Sequence, residues 1–318
     1  MVTLEDVRRA AKALSGSVER TPLVRSDELS RELGAEVFLK LESLQRTGAF
    51  KIRGATYAVT RLSPEARRGG VITFSAGNHG RGLAHAAAAA GIPCTVVMPA
   101  GANPVKVEAT RALGAEIVFA ANASEAFALV QKLGAERGLH FVSPFEDDDV
   151  IAGQGTVGLE ILEDLPDVDL LVVPVGGSGL ASGIALVAKS LRPSARLVAT
   201  EPAGADKLRR ALEAKRVVRL ERVQTVADGL AAPFVGERNL RILEGRLDGL
   251  VVLSEGEILA GLRFLVERCR VLAEPAGAAS TAALLTRRAG LQPGEKVVAV
   301  VTGGNLDLAR LPEFLGKP

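Results

Sequence analysis

The amino-acid sequence predicts an α/β protein of two domains, each an open, mostly parallel twisted sheet flanked by helices. Short apolar runs rich in valine alternate with helical patterns along the chain, as buried strands and crossover helices do in parallel sheets. The runs end at Gly, Pro, Ser or Thr, which commonly follow strands. A length of 318 residues leaves room for two domains.

The predicted strands are the short runs in which valine and other apolar residues cluster. In chain order they cover residues 37–41, 71–74, 94–98, 116–119, 170–175, 196–199, 249–253 and 296–301. Patterns with helical spacing lie between them, at residues 83–90, 106–113, 124–133 and 181–191. Asn103 and Pro104 suit the start of the second of these helices, since asparagine caps helices and proline fits the first turn.

Domain boundaries follow from these strand–helix units, because no low-complexity linker divides the chain. The consecutive units at residues 52–145 predict a small α/β domain inserted into a large one, which is formed by residues 1–51 and 146–318. The segment 144–149 is proline-containing and acidic, so we expect an exposed connection there. A cleft between two domains is the usual place for a small-molecule site.

The composition excludes several classes of function. The 39 basic residues nearly balance the 37 acidic ones, so nucleic-acid binding is not expected. No apolar run is long enough to span a membrane, and the amino terminus lacks the apolar core of a signal peptide. The two cysteines, Cys94 and Cys269, indicate a reducing compartment, most simply the cytoplasm. The three histidines have no metal-ligand spacing, so no metal site is predicted from them.

Three turns with glycine follow predicted strands, at residues 75–80, 176–180 and 302–305. Glycine lets the backbone approach an anion closely, and a helix amino terminus adds free N–H donors and a partial positive charge. Each turn also has an ordinary explanation as a tight strand-to-helix turn, a helix cap or a plain turn. Taken singly, none of the three identifies a ligand.

Lys51 gives these turns a chemical context. A lysine amine can form a Schiff base with pyridoxal phosphate while backbone N–H groups hold the phosphate. By itself, a lysine here would be a surface residue and Phe50 a core residue. A dinucleotide is the competing interpretation, because Gly177 and Gly179 approximate a dinucleotide fingerprint and Glu201 ends the next strand. On the 176–180 segment alone, both cofactors stay open.

Together the motifs resemble the threonine dehydratase and serine racemase branch of the fold-type II (tryptophan-synthase-like) pyridoxal-phosphate enzymes. The resemblance extends from residues 20–23 (Arg-Thr-Pro-Leu) to residues 302–305 (Thr-Gly-Gly-Asn). Its most specific segments are residues 48–55 (Gly-Ala-Phe-Lys-Ile-Arg-Gly-Ala) and 75–80 (Ser-Ala-Gly-Asn-His-Gly). Segments 174–180, 227–230 and 274–277 match in the same order.

The resemblance implies a role for each matching residue. Lys51 would be the Schiff-base lysine and catalytic base, with Phe50 packed beside it. The other expected cofactor contacts are Asn78 at the phenolic oxygen, Gly176, Gly177, Ser178, Gly179 and Leu180 around the phosphate, Gly229 at the ring face, Glu274 at the ring edge and Thr302 at the pyridine nitrogen. Substrate contacts are expected from Ser75, Ala76, Gly77, Asn78 and His79.

These roles imply a lyase that converts L-threonine, L-serine or both to a 2-oxo acid and ammonia by β-elimination. An amino-acid racemase of the same family is the first alternative, although Ala76 stands where such racemases carry a serine hydroxyl. An NAD-dependent oxidoreductase and a non-catalytic binding protein are less favoured alternatives. The family commonly forms dimers or tetramers, so a homo-oligomer is expected by analogy.

The resemblance also concerns a cation. In racemase-like relatives a divalent ion near the phosphate is held by a glutamate, a backbone carbonyl and an aspartate. Glu201 and the carbonyl of Ala205 match, but the aspartate position aligns with Lys207. We expect the Lys207 ammonium to take the place of the ion beside Glu201. Two alternatives remain: Lys207 points to solvent, or a one-residue shift brings Asp206 into a metal site.

Overall fold

A computed structural model describes residues 1–316 of the chain. The strands are β1 Leu23–Arg25, β2 Glu36–Leu41, β3 Val71–Phe74, β4 Cys94–Pro99, β5 Glu116–Ala120, β6 His140–Phe141, β7 Leu170–Pro174, β8 Arg196–Pro202, β9 Gly249–Leu253 and β10 Lys296–Val301. All the predicted strands are present. The additional strands β1 and β6 are too short to produce a recognisable apolar pattern.

The helices include the four predicted ones, with ends shifted by a few residues. They are α1 Leu4–Leu14, α2 Asp27–Leu33, α3 Lys51–Thr60, α4 Pro64–Gly69, α5 Asn78–Ala90, α6 Pro104–Arg111, α7 Ala123–Arg137, α8 Asp148–Asp164, α9 Gly179–Leu191, α10 Lys207–Ala214, α11 Glu237–Leu243, α12 Glu255–Phe264, α13 Pro275–Leu285 and α14 Leu311–Leu315. Asn103 caps α6 as expected, since its side chain accepts a hydrogen bond from the Val105 N–H at 2.9 Å. No helix within residues 1–316 is long and apolar enough to cross a membrane.

The strands form two sheets, which confirms the predicted mostly parallel α/β class. The larger sheet has the order β1-β2-β10-β7-β8-β9, in which β1 runs antiparallel to β2 and the other pairs run parallel. The smaller sheet has the order β5-β4-β3-β6, with parallel pairing throughout. Its strands come from the segment predicted as the small domain. The boundaries at residues 52 and 145 stay a prediction.

Helices cover both faces of the larger sheet, as alternate residues of its central strands show. In β10, Val298 and Val300 pack into a core with α1, α8 and α9. Val297, Ala299 and Val301 point the other way, into a core with α2, α12 and α13. Because every residue of the strand meets a core, its sequence is continuously apolar instead of alternating.

Glycines bring the three helices α3, α8 and α9 into close contact. A Cβ atom on Gly153 of α8 would lie 2.6 Å from the Cα of Gly54 in α3. A Cβ atom on Gly183 of α9 would lie 2.6 Å from the Cα of Gly155 in α8. Larger side chains at these positions would force the helices apart. The same glycines obscure α8 in the sequence, because they lower helix propensity and interrupt its apolar pattern.

A buried ionic cluster ties α3 to β2 and α8. Arg53 donates two hydrogen bonds of 2.8 Å to Glu42 and bonds of 2.6 and 2.9 Å to Glu160. Lys40 donates to Glu160 at 2.6 Å and to the Thr21 carbonyl at 2.6 Å. Burial opposes ionisation of Glu42, but the charge and hydrogen bonds of Arg53 outweigh it and lower the pKa of that carboxyl. Two cations and two anions therefore neutralise one another inside the protein.

Replacing one member of this cluster leaves a buried charge without its partner. We expect Arg53→Ala to lower the free energy of unfolding by about 3–5 kcal/mol, because Glu42 stays buried and loses its counter-ion. Arg46→Ala is the matched control, since Arg46 pairs with Glu19 at the surface with side-chain exposures of 38% and 51%. It should cost less than about 1 kcal/mol. Urea unfolding followed by circular dichroism measures both, and equal losses would contradict the role given to the cluster.

Candidate active site

A cavity of about 1480 Å³ lies where the carboxyl ends of β3, β7 and β10 meet. Every residue predicted to contact a cofactor or substrate lines it. These residues are Phe50, Lys51, Ser75, Ala76, Gly77, Asn78, His79, Gly176, Gly177, Ser178, Gly179, Leu180, Gly229, Glu274 and Thr302. Since they come from both sheets, the cavity is the inter-sheet cleft that the sequence predicts. Their individual roles remain predictions.

Lys51 is the first residue of α3, and its amine lies in the cleft. Its Nζ atom donates a 2.7 Å hydrogen bond to the Pro144 carbonyl and lies 5.2 Å from the centroid of the Phe50 ring. Burial lowers the pKa of the Lys51 amine to about 8. A lysine with that pKa is partly neutral near physiological pH. It can therefore act as a nucleophile or as a base.

The glycine turn, residues 176–180, joins β7 to α9. Ser178 precedes the helix with a left-handed φ of 79°, and a Cβ atom on Gly177 would lie 2.0 Å from the Phe145 ring. Asn239 closes the turn from behind by donating to the Gly177 and Phe145 carbonyls at 2.9 Å each. The backbone at Gly177 therefore has no room for a side chain, and hydrogen bonds from Asn239 fix its position.

The same turn offers donors for an anion. The hydroxyl of Ser178 is buried and has no hydrogen-bond partner within residues 1–316. The N–H groups in the first turn of α9 have no intrahelical acceptor. A buried hydroxyl without a partner beside free helix N–H groups fits a phosphate, which supplies several acceptor oxygens.

The second turn, residues 75–79, joins β3 to α5. Gly77 caps α5 without a side-chain hydrogen bond, so the first N–H groups of the helix remain available. The His79 imidazole donates to the Val142 carbonyl at 3.2 Å. Burial and the nearby Lys51 lower its pKa to about 3, which keeps the ring neutral. The backbone of His79, not its imidazole, is thus the part available to a substrate.

The opposite wall of the cleft contains Glu274, Gly229 and Thr302. Glu274 accepts a 2.6 Å hydrogen bond from the Asn78 amide, and burial together with Asp228 raises its pKa to about 7. A Cβ atom on Gly229 would lie 2.9 Å from the Cβ of Ala276, so a larger residue does not fit there. Thr302 is buried at the end of β10, and its carbonyl accepts from the Phe50 N–H at 3.1 Å.

Sequence reasoning missed part of this wall. The segment 144–149, expected to be an exposed connection, is half-buried, and its residues Pro144 and Phe145 line the cleft. Its run of acidic residues suggested exposure, but the preceding proline and phenylalanine contact Lys51 and the glycine turn. Asn239 was also missed, since it lies far from the turn in the chain and belongs to no recognised motif.

The comparison with protein families identifies the cofactor that this site is built for. A family model described as "Pyridoxal-phosphate dependent enzyme" matches residues 14–303. The chain belongs to the pyridoxal-phosphate-dependent enzyme family. The amine, the glycine turn and the unpartnered Ser178 hydroxyl described above all fit pyridoxal phosphate.

Particular members of the pyridoxal-phosphate-dependent family are similar over almost the whole chain. An L-threonine ammonia-lyase of Thermotoga maritima is 42% identical over 318 residues, which are 100% of this chain and 79% of that protein. The structure of maize serine racemase is 34% identical with a TM-score of 0.94, covering 98% of this chain and 96% of that one. The crystal structure of a threonine deaminase from T.th. is 38% identical with a TM-score of 0.91, covering 96% of this chain and 99% of that one.

The dinucleotide interpretation is wrong. Besides the family match, the acid it requires is not available: Glu201 is fully buried and accepts from the N–H groups of Leu208 and Arg209 at 3.0 and 2.8 Å. Its carboxylate therefore caps α10 and does not face the cleft. The glycine turn is therefore not part of a dinucleotide site.

Lys207 lies behind the glycine turn, fully buried, with its Nζ atom 3.3 Å from Glu201. It also donates to three backbone carbonyls, those of Val175 at 2.7 Å, Ala205 at 3.0 Å and Leu230 at 3.2 Å. The expected ion pair is thus present, and the alternative in which Lys207 points to solvent is wrong. Burial lowers the pKa of Lys207 and raises that of Glu201, while their mutual attraction favours the charged pair.

Asp206 has other partners, because it pairs with Arg209 and Arg210. Within residues 1–316, no group of three or more His, Cys, Asp or Glu side chains could hold a metal ion. The residues around Glu201 therefore do not fit the divalent ion of racemase-like relatives. A lysine ammonium already fills the space between the carbonyls.

The lowered pKa of Lys51 predicts how the apoprotein captures its cofactor. Below pH of about 8 the amine is protonated, so covalent attachment should accelerate about tenfold per pH unit and level off above that pH. Stopped-flow absorbance measures this rate, and borohydride reduction followed by mass spectrometry locates the attachment. Lys51→Ala should abolish the reduced adduct, whereas Lys132→Ala at the surface should not. A flat pH profile, or an adduct that survives in Lys51→Ala, would contradict the assignment.

The buried Lys207 ammonium predicts that the enzyme needs no divalent metal. Exhaustive chelation should leave turnover and melting temperature unchanged, because the position between the carbonyls is filled by a side chain. Both quantities are measured before chelation, after it, and after Mg²⁺ or Mn²⁺ is added back. A large loss on chelation that either ion restores would show that Asp206 takes part in a metal site.

Proposed function

We propose that this protein is a pyridoxal-phosphate-dependent ammonia-lyase that acts on L-threonine and L-serine. The observation that carries the proposal is that Lys51, with its amine, and Ala76, with its methyl group, line the same cleft. An amine can remove a proton from the α-carbon, but a methyl group cannot return one to the opposite face. This arrangement favours elimination. The name of the Thermotoga relative supports the same activity.

The cofactor, when bound, supplies an electron sink that makes the α-hydrogen of an attached amino acid acidic. The residues of the cleft then divide the remaining work. The neutral Lys51 amine accepts the α-proton, and the free N–H groups of the 75–79 turn bind the substrate carboxylate. Thr302 would offer a hydroxyl, a neutral partner, to the ring nitrogen. The glycine turn and the Ser178 hydroxyl would hold the phosphate.

The overall reaction balances without an added oxidant or reductant. The α-carbon loses a proton, the β-carbon loses its hydroxyl group, and a molecule of water leaves. The resulting enamine moves a proton from nitrogen to the β-carbon and becomes an imine. Water then adds to the imine carbon, and ammonia departs. Threonine thus gives 2-oxobutyrate, and serine gives pyruvate.

An amino-acid racemase is the second candidate, because a serine racemase is among the similar structures. Racemisation requires an acid on the face of the α-carbon opposite Lys51. Ala76 lacks a titratable proton, and the neighbouring Ser75 hydroxyl accepts from the Gly77 N–H at 3.2 Å. The methyl group at Ala76 therefore favours the lyase.

We further propose a homo-oligomer in the cytoplasm, without nucleic-acid or membrane partners. The near balance of 39 basic and 37 acidic residues supports the absence of a polyanionic partner. Cys94 is buried and Cys269 is half-buried, and neither forms a disulfide. Unpaired cysteines are typical of a reducing compartment.

The test of the function is a product analysis of the holoenzyme. Wild type should form 2-oxobutyrate from L-threonine and pyruvate from L-serine. D-Serine should form more slowly than pyruvate by roughly 100-fold or more, since a missing general acid costs about 10²–10⁴-fold. Ala76→Ser should increase the ratio of D-serine to pyruvate, while the control Ala76→Gly should not. The lyase assignment fails if neither 2-oxo acid forms, or if wild type makes D-serine as fast as pyruvate.

A further inference from the structure

A chain of hydrogen bonds crosses the cleft between the two sheets. Arg81 of α5 donates from Nη1 to the side-chain oxygen of Asn305 at 2.7 Å. The amide nitrogen of Asn305 donates to the side-chain oxygen of Asn78 at 2.8 Å. The amide nitrogen of Asn78 donates to Glu274 at 2.6 Å. Every bond in the chain therefore points in one direction, from Arg81 to Glu274.

That direction follows from the donors and acceptors at the two ends. A guanidinium has only donors, so the end of the Asn305 amide that faces Arg81 must be its oxygen. The nitrogen of Asn305 then faces Asn78, which must present its own oxygen in return. As a result, the Asn78 N–H₂ group points into the cleft. A reversed Asn305 would place two donors against each other and lose both bonds.

Other backbone groups keep Asn305 in this orientation. Its amide nitrogen also donates to the Thr47 carbonyl at 2.8 Å. Gly48 has a left-handed φ of 74°, and a Cβ atom there would lie 2.4 Å from the side-chain oxygen of Asn305. Only a glycine leaves the space that the amide needs. Arg81 and the Thr47 carbonyl therefore hold Asn305 together, the first at its oxygen and the second at its nitrogen.

Arg81 differs from the buried Arg53 in the kind of partner it has. It is half-buried, and its partner within residues 1–316 is an amide oxygen with no carboxylate paired to it. Arg53, by comparison, has two carboxylate partners. The positive charge of Arg81 is thus not neutralised locally and polarises the two amides in sequence. Polarisation strengthens each N–H as a donor along the chain.

We propose that Arg81 and Asn305 are positioning residues that fix the Asn78 amide with its N–H donor facing the cofactor. The predicted partner of that donor is the phenolic oxygen of pyridoxal phosphate, which carries negative charge. Neither positioning residue needs to touch the cofactor. The inference rests on the cofactor contact predicted for Asn78 and does not depend on which amino acid is the substrate. It also couples the smaller sheet, through α5, to the 302–305 turn of the larger one.

The decisive variants change the direction of the chain while keeping its shape. Asn305→Asp is nearly isosteric and still accepts from Arg81, but it cannot donate to Asn78. The Asn78 amide is then free to turn its nitrogen away from the cofactor. Arg81→Met removes the donor at the start of the chain, and Arg81→Lys retains one. Asn78→Ala removes the predicted hydrogen bond to the cofactor altogether and so gives its full contribution to cofactor affinity.

Each protein is prepared as apoprotein and titrated with pyridoxal phosphate. The measurements are the dissociation constant, the wavelength of the visible absorption band and the melting temperature of the apoprotein. Asn305→Asp and Arg81→Met should weaken cofactor binding by roughly three- to tenfold and move the band, as expected for one lost hydrogen bond. Arg81→Lys should stay within about twofold of wild type. The melting temperatures of the Arg81 apoproteins should remain close to wild type, whereas Asn305→Asp also loses its bond to the Thr47 carbonyl and should melt lower.

The outcomes separate the inference from its premise. If Asn78→Ala leaves affinity and band unchanged, the contact of Asn78 with the cofactor is wrong. If Asn78→Ala changes them but Arg81→Met and Asn305→Asp do not, the positioning role is overturned. A lower melting temperature with unchanged affinity and band would show a purely structural role and would overturn it as well. Turnover of threonine and serine, measured separately, tests the proposed function.

Discussion

The buried pairing of Arg53 with Glu42 and Glu160 is the interaction on which the cleft depends. Arg53 lies two residues after Lys51 on α3, so the bonds that hold the guanidinium also set the position of the reactive amine. Through Glu160 the same cluster reaches α8, and α8 packs on α9 through glycines. The amine and the glycine turn are therefore placed by one continuous stack of three helices. The desolvation cost of such a cluster is large, and only its complete pairing makes it tolerable.

The glycine turn is held in place by two side chains that do not line the cleft. Asn239 binds the carbonyl of Gly177, and Lys207 binds that of Val175 immediately before the turn. Such contacts leave the N–H side of the glycine turn free while restraining its carbonyl side. An anion then meets donors that are already oriented, so little reorganisation is needed on binding. Asn78 is restrained in a similar way, because Asn305 binds its side-chain oxygen and its side-chain nitrogen faces the cleft.

The sequence predicts the cleft well because its motifs sit at strand ends. The turns at 75–80, 176–180 and 302–305 follow β3, β7 and β10, and parallel strands bring their carboxyl ends together. Local patterns of this kind can be recognised one segment at a time. The supporting contacts are different in nature: Asn239 and Phe145 meet the glycine turn only after the chain has folded.

Other errors have equally physical causes. Residues 146–149 are acidic and suggested exposure, but the packing of Phe145 draws the segment into the cleft wall. Helix α8 was not recognised because its glycines, required for close helix contacts, are residues that single-sequence reasoning associates with turns. Arg81 gave no signal at all, since an arginine on a helix is ordinarily a surface residue. Its importance lies in a bond to Asn305, a residue far away in the chain.

Lys207 has a consequence for how this fold responds to its surroundings. An ion held by carbonyls and a carboxylate has a dissociation constant, so its occupancy follows the supply of that ion. An ammonium joined to the backbone by four methylene groups has none, and it is present in every folded molecule. A positively charged group therefore lies beside the carbonyls of Val175 and Leu230 as soon as the chain has folded. The conformation of the segment that precedes the glycine turn is therefore set by the amino-acid sequence and does not depend on the ion concentrations in the cell.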